Sequence, residues 1–214
     1  GNEFSRLGII GCVGLEQYEA RQVLPHEYTE VPVVRDRVSL MEACGANFSP
    51  IMSAYRDAES RLAPIFQQAM TASPVIDVPD GMGGRSTLWR MTDPESLSTV
   101  TQFFQETPVF LADGHHRYEA ALQYQRIKNQ DSDKQAVGQE SGAQAHGFVL
   151  MTLIGFEDPG LMVLPYHRVL GGLSDAQLTQ VRNALFEVFQ ANPFASGKDQ
   201  SSTGLVEQVA ESGR

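Results

Sequence analysis

The sequence predicts a mixed α/β (α+β) fold. Strand-like and helix-like segments alternate irregularly, whereas a doubly wound sheet would alternate them regularly. The glycine-rich stretch Asp80-Gly81-Met82-Gly83-Gly84 lies between two strand-like runs and reads as a hairpin turn. An apolar run at 109–112 passes straight into an amphipathic helical pattern. At 214 residues the default is one domain with a sizeable core, with two small ones possible. Residues 1–192 are expected to be a single domain, and 193–214 a Ser- and Gly-rich tail or the start of a following segment.

Residues 7–13 are a short apolar run with two glycines and are expected to form a strand. Leu15, Tyr18 and Glu19 start a predicted helix that ends before Pro25. A charged stretch follows, with His26-Glu27 and then Arg35-Asp36-Arg37. It leads into a predicted helix over 34–44, with Val38, Met41 and Leu40 inward. By itself this stretch reads as a solvated loop. The functional alternative makes Glu27 a carboxylate base and Arg35 or Arg37 an anion clamp. Residues 51–55 read as a strand with Arg56-Asp57 at its polar end. Residues 58–70 read as a helix with Leu62, Ile65, Phe66 and Ala69 on one face, and Pro64 signals a kink or a late start. Residues 75–78 and 86–91 flank the hairpin turn, and no helix follows that turn as a phosphate loop would need. Asp93 caps the next helix with Pro94 at its first position, and Leu97, Val100, Phe103 and Phe104 turn inward.

The stretch 108–122 organises the rest. Pro108 opens a buried strand over 109–112, and Asp113 stands at the expected N-cap of a helix. Tyr118, Ala121, Leu122 and Gln125 follow at helical spacing and face inward. The first turn holds His115, His116 and Arg117, where the positive end of the helix dipole disfavours basic groups. Gathering them there costs stability unless an anion sits among them. A glycine (Gly114), free backbone amides and an arginine at a helix start make a phosphate site. The same letters also fit an Asp-capped helix whose histidines are merely half-exposed.

Residues 125–145, rich in Gln, Asp, Ser and Gly, are expected to be a solvated loop able to fold over a ligand. Residues 147–154 are apolar throughout and read as an interior strand. Asp158-Pro159-Gly160 is a turn, and 161–164 a strand ending at Pro165-Tyr166-His167-Arg168. His167 and Arg168 are a second candidate cluster or, equally, a surface pair. Ser174-Asp175 caps an amphipathic helix over 176–190 carrying Leu178, Val181, Leu185, Val188 and Phe189, and a weak helical run lies at 205–210.

The net charge of −10 argues against nucleic-acid or anionic-membrane partners, because such binding needs a basic face; a local basic pocket stays compatible. Two cysteines, Cys12 and Cys44, without CxxC spacing support neither a zinc ribbon nor a disulfide scaffold, and a reduced, cytoplasmic setting is expected. No window reaches the ~18 consecutive apolar residues of a membrane span, and no signal peptide is visible.

Asp113-Gly114-His115-His116-Arg117 resembles the phosphate-binding signature of the ParB/sulfiredoxin-like superfamily. The fuller string from Ala112 to Glu119 resembles, within it, a widespread prokaryotic family catalogued as a domain of unknown function. Further segments are similar to that family. They are Gly8-Ile9-Ile10-Gly11-Cys12, His26-Glu27 with Arg35-Asp36-Arg37, Asn47 with Pro50, Tyr55-Arg56-Asp57, Leu88-Trp89-Arg90, Asp158-Pro159-Gly160-Leu161 and Leu164-Pro165-Tyr166-His167-Arg168. The likeness covers about residues 8–170 and implies a longer protein, of which this chain is expected to be a fragment. It implies a small mixed sheet flanked by helices, with the phosphate-binding helix start at the sheet edge. Sulfiredoxin chemistry needs a cysteine where His115 stands, and a ParB role needs DNA contact that the charge disfavours. The signature of the ADP-dependent free L-serine kinase, Asp-Gly-His-x-Arg, is matched position by position by Asp113, Gly114, His115 and Arg117.

That resemblance implies a phosphotransferase acting on a nucleotide (ATP or ADP, with Mg²⁺) and a small hydroxylated metabolite. In it the amides of Gly114 to His116, with Arg117, hold the distal phosphates, and Asp113 or Glu119 helps hold Mg²⁺ or orient the acceptor hydroxyl. Glu27 is the base, and Arg35, Arg37, His167 or Arg168 neutralise developing charge. His115 and Glu119, four apart on a helix, could also share a metal. A non-catalytic nucleotide or phosphometabolite sensor and a nucleotide hydrolase remain the alternatives.

Overall fold

A computed structural model describes residues 5–81, 83–135, 144–163 and 171–188, with 131–135 as backbone only. The chain divides into two compact units, Gly1–Val163 and Leu164–Arg214. The first contains strands β1 (Gly8–Gly14), β2 (Val23–Leu24), β3 (Ile51–Tyr55), β4 (Ile76–Pro79), β5 (Arg85–Leu88), β6 (Val109–Asp113) and β7 (Phe148–Gly155). Its helices are α1 (Val31–Cys44), α2 (Ala63–Ala69), α3 (Pro94–Glu106) and α4 (His115–Gln135). In the second unit the described element is α5 (Asp175–Val188).

The fold class is the predicted one. Five strands form a mixed sheet in the order β1-β7-β3-β6-β2, and β4-β5 form a separate two-stranded sheet. β3 lies at the centre, parallel to β7 and antiparallel to β6, while β1 pairs antiparallel with β7 and β2 parallel with β6. The core joins the sheet to one face of α4. Ile51, Tyr55, Leu111, Met151 and Leu153 from the strands meet Tyr118, Ala121 and Leu122 from the helix. Fully burying such a side chain contributes about 1.5–3 kcal/mol, so this seam anchors α4. Tyr118 is fully buried, and its hydroxyl accepts from Glu16 N (3.0 Å) and donates to Glu16 O (2.8 Å), tying α4 to the end of β1. Burial lifts its pKa to about 12. On a neighbouring face Ala120 packs against Val34 and Val38, which brings α1 alongside α4.

The hairpin turn forms as expected, with Asp80 N donating to Gly84 O at 3.1 Å and Gly81 and Gly83 at φ +78° and +93°. Asp93 caps α3 by accepting from Ser96 N at 2.8 Å, and Phe103 is buried. Leu97, expected inward, is 45% exposed instead. Leu40, also expected inward, is 37% exposed, and four element assignments differ as well. Residues 15–24 do not form a helix: a 3₁₀ turn at Tyr18–Ala20 precedes β2, whose backbone is taken by β6. The helix predicted over 58–70 shrinks to Ala63–Ala69, because Pro64 sits in its first turn and Asp57 caps the preceding turn through Arg61 N and Leu62 N. The loop expected at 125–145 is helical as far as Gln135, as α4 simply propagates. Residues 161–163 are not a strand; Asp158 holds that turn by accepting from Leu7 N and Gly160 N. Leu164, His167, Arg168 and the tail from 192 lie outside the described residues.

In the second unit, Ser174 caps α5 reciprocally with Gln177: Ser174 N donates to Gln177 Oε1 (2.9 Å), and Gln177 N donates to Ser174 Oγ (3.4 Å). Among the described residues no helix is long and apolar enough to cross a membrane.

Candidate functional site

β6 ends at Asp113 and α4 begins at His115, so Gly114 is the whole connection. Just before it the sheet register slips. Met52 pairs with Asp113 and Ser53 with Leu111, leaving Ala112 as an extra residue. Such a bulge re-aims the side chains that follow it. Leu111 is buried, whereas Ala112 and Asp113 both face solvent. Gly114 then takes φ +98°, a conformation that suits glycine. A Cβ there would also lie 2.8–3.0 Å from the Arg117 guanidinium.

The first intrahelical bond of α4 runs from Tyr118 N to Gly114 O at 3.0 Å. The amides of His115, His116 and Arg117 precede it, so the helix start offers open donors. Asp113 does not cap them, contrary to expectation. The bulge and the turn at Gly114 aim its carboxylate outward, where Oδ2 accepts from Arg117 Nη2 at 2.6 Å. Arg117 is bound further. Its Nη1 donates to Pro50 O (2.6 Å), Ser49 Oγ (3.0 Å) and Ser49 O (3.2 Å). The guanidinium therefore fastens the start of α4 to the segment leading into β3, and Nε keeps an unpaired proton among the described residues.

The two histidines fasten a second segment. His115 is 3% exposed, and its Nε2 accepts from His26 N at 3.3 Å. His116 Nε2 accepts from Glu30 N at 3.1 Å. Accepting there assigns both ring protons to Nδ1. His26 stands edge-on to His115 with ring centres 4.5 Å apart, and its Nδ1 donates to Leu111 O at 2.7 Å. The imidazoles thus hold residues 26–30, the lead into α1, against the start of α4. His115 Nδ1 lies 3.9 Å from Glu27 Oε2. Burial, and then His26, push the His115 pKa below the ordinary imidazole value, while Glu27 pulls the other way. A neutral imidazole with its N–H toward a carboxylate is the consistent state.

These parts surround a cavity of about 340 Å³. Glu27, Val33 and Arg37 line it from the α1 side, Ser49 from the segment before β3, and Asp113, Gly114, His115, His116 and Arg117 from the strand-to-helix passage. Of the predicted residues the structure brings seven together: Glu27, Arg37 and the five from Asp113 to Arg117. Arg37 is half-exposed, and its nearest ionic partner is Asp36 at 3.5 Å. Arg35 is exposed on α1 and does not line the cavity. Glu119 faces Tyr18 instead, where its charge adds to burial in raising the tyrosine pKa. His167 and Arg168 fall outside the described residues. Sequence reasoning did not single out Ser49 or the backbone donors of His26 and Glu30; the nearby Asn47 and Pro50 were the one signal pointing to that corner.

Among the described residues no group of three or more His, Cys, Asp or Glu converges to hold a metal ion. Mg²⁺ needs less, since it takes one or two carboxylates and completes its shell with phosphates and water. Glu27 and Asp113 are the two carboxylates that line the cavity. Chemically, the arrangement offers open amides, imidazole N–H groups and a cationic side chain to an anion, with a carboxylate beside them. No curated protein and no solved structure matches the chain. A family model described as "Protein of unknown function (DUF1015)" matches residues 1–211, and the chain belongs to the DUF1015 family.

Proposed function

We propose that the cavity at the start of α4 binds the phosphates of a nucleotide, and that the protein transfers a phosphoryl group to a hydroxyl of a small metabolite. The chemistry would be similar to that of the free L-serine kinase in the ParB/sulfiredoxin-like superfamily. One observation carries the reading. An uncapped helix start, reached through a left-handed glycine, opens into a cavity that also holds Arg37 and two imidazoles. Backbone donors at a helix N-terminus, with the dipole behind them, are the standard protein solution for phosphate.

The roles follow from placement. The amides of His115 to Arg117 receive phosphate oxygens. Arg37, free to swing from α1, adds positive charge, and His116 Nδ1–H adds a donor. Arg117 acts chiefly as a positioning residue, since Asp113, Ser49 and Pro50 already engage it. Glu27 accepts the proton of the acceptor hydroxyl, and the neutral His115 lies beside it with Nδ1 at 3.9 Å. Mg²⁺ brought by the nucleotide would be held by Glu27 or the free oxygen of Asp113 and would neutralise charge on the transferred group. The two free cysteines, Cys12 and Cys44, suit a reducing compartment such as the cytoplasm.

A second reading, a non-catalytic sensor, is favoured by the commitment of Asp113 to Arg117, which leaves few groups for chemistry. Incubation with ATP, ADP or CTP, Mg²⁺ and a panel of hydroxylated metabolites separates the cases. Phosphorylated acceptor supports the kinase. Release of free phosphate without acceptor makes the protein a hydrolase, and saturable binding without turnover makes it a sensor. No binding of any phosphate compound removes the proposal.

A further inference from the structure

Beside the polar cavity runs a second, smaller depression of about 60 Å³. It shares Arg37, Ser49 and Arg117 with the first, so the two adjoin. Its character is different. Leu40 and Met41 of α1 line it together with Asn47, Phe48 and the buried Ile51 and Val149. Phe48 is 62% exposed and Leu40 37% exposed, so an aromatic ring and an aliphatic side chain stand in water next to a strongly polar cavity. Leaving such apolar area uncovered forgoes its burial, and an aromatic flank beside a phosphate site is what ring stacking requires.

We propose that this cleft receives the planar aromatic base of the nucleotide whose phosphates occupy the neighbouring cavity. The proposal rests on the phosphate reading above and adds to it the part of the ligand that sets selectivity. The cleft is too small to enclose a ring system, which fits one face of a base lying on Phe48, Leu40 and Met41 with its edge open. Asn47 is the polar group at hand for that edge, since its amide both donates and accepts. Arg117 makes the arrangement rigid. Its bonds to Ser49 and Pro50 fix the segment that presents Phe48 relative to the helix start that presents the amides.

The test compares inorganic tripolyphosphate with ATP by calorimetric titration, on the whole chain and on Phe48→Ala. An exposed side chain can be truncated without threatening the fold, and an unchanged melting temperature confirms it. The wild-type chain should bind ATP more tightly than tripolyphosphate. Phe48→Ala should lose roughly tenfold or more for ATP and nothing for tripolyphosphate. Equal affinities of the wild-type chain for the two probes overturn the base cleft while leaving the phosphate site standing. The same holds if Phe48→Ala binds ATP as well as wild type does. If neither probe binds the wild-type chain, the phosphate reading has failed and the cleft proposal with it.

Discussion

A methyl group at Gly114 would force both the backbone and the Arg117 guanidinium to move, because φ is +98° and the space is already filled. Gly114→Ala should therefore cost about 1–3 kcal/mol of stability, read as a lower urea midpoint with an unchanged slope, and should abolish phosphate binding. The neighbouring His115 makes a different prediction. Its pKa is lowered in the folded chain, so the folded state binds fewer protons than the unfolded chain between the two values. Stability should be full above about pH 6.5, fall as the pH drops toward the folded value, and level off below it. Urea midpoints measured across that window check this, and His115→Gln should flatten the profile. At this scale the sequence was informative about residue types and less so about partners. The basic first turn of α4 pointed to the helix start that lines the cavity. The fate of each group depended on contacts 67–89 residues away in the chain, such as Pro50 with Arg117 and His26 with His115. Periodicity carries no information about those.

Elements with a strong local pattern were readable, and those decided by tertiary pairing were not. β3 falls on the predicted residues 51–55, and α3 starts on its predicted Asp-Pro cap. Residues 15–24 carry helical spacing, but Val23 and Leu24 gain more as a strand beside Val109 and Phe110. The polar residues beyond 125 looked like loop because no face is apolar. Once the first turns of α4 are packed, each further residue extends the helix without a new nucleus. Asp57 shows the reverse, a polar strand end that acts as a cap. Its two oxygens accept from Arg61 N (2.8 Å) and Leu62 N (2.9 Å). Asp57→Ala should cost about 1 kcal/mol, measured by chemical denaturation, and should leave ligand binding at the distant α4 start unchanged.

Across the first unit, one sheet and two helices are joined at a single corner. Arg117 ties α4 to the lead into β3, and the two imidazoles tie it to the lead into α1. A ligand seated there touches all three segments and should stabilise the whole unit by mass action, about 2.7 kcal/mol at a hundredfold excess over Kd. The net charge of −10 is no obstacle, since the donors are local and the cavity walls are close. Overall composition gave no more than an expectation about partners, while the site itself had to be found from five residues and their neighbours. Arg37 gives the cleanest handle, because its one ionic contact among the described residues is a loose, exposed pair with Asp36 and its removal should leave the fold intact. The decisive measurement is a calorimetric titration of ATP into the wild-type chain and into Arg37→Ala. Saturable one-site binding, weakened about tenfold or more in the variant at an unchanged melting temperature, is the expected result. Absence of saturable heat with the wild-type chain, or equal affinity in both proteins, would contradict a phosphate site at the head of α4.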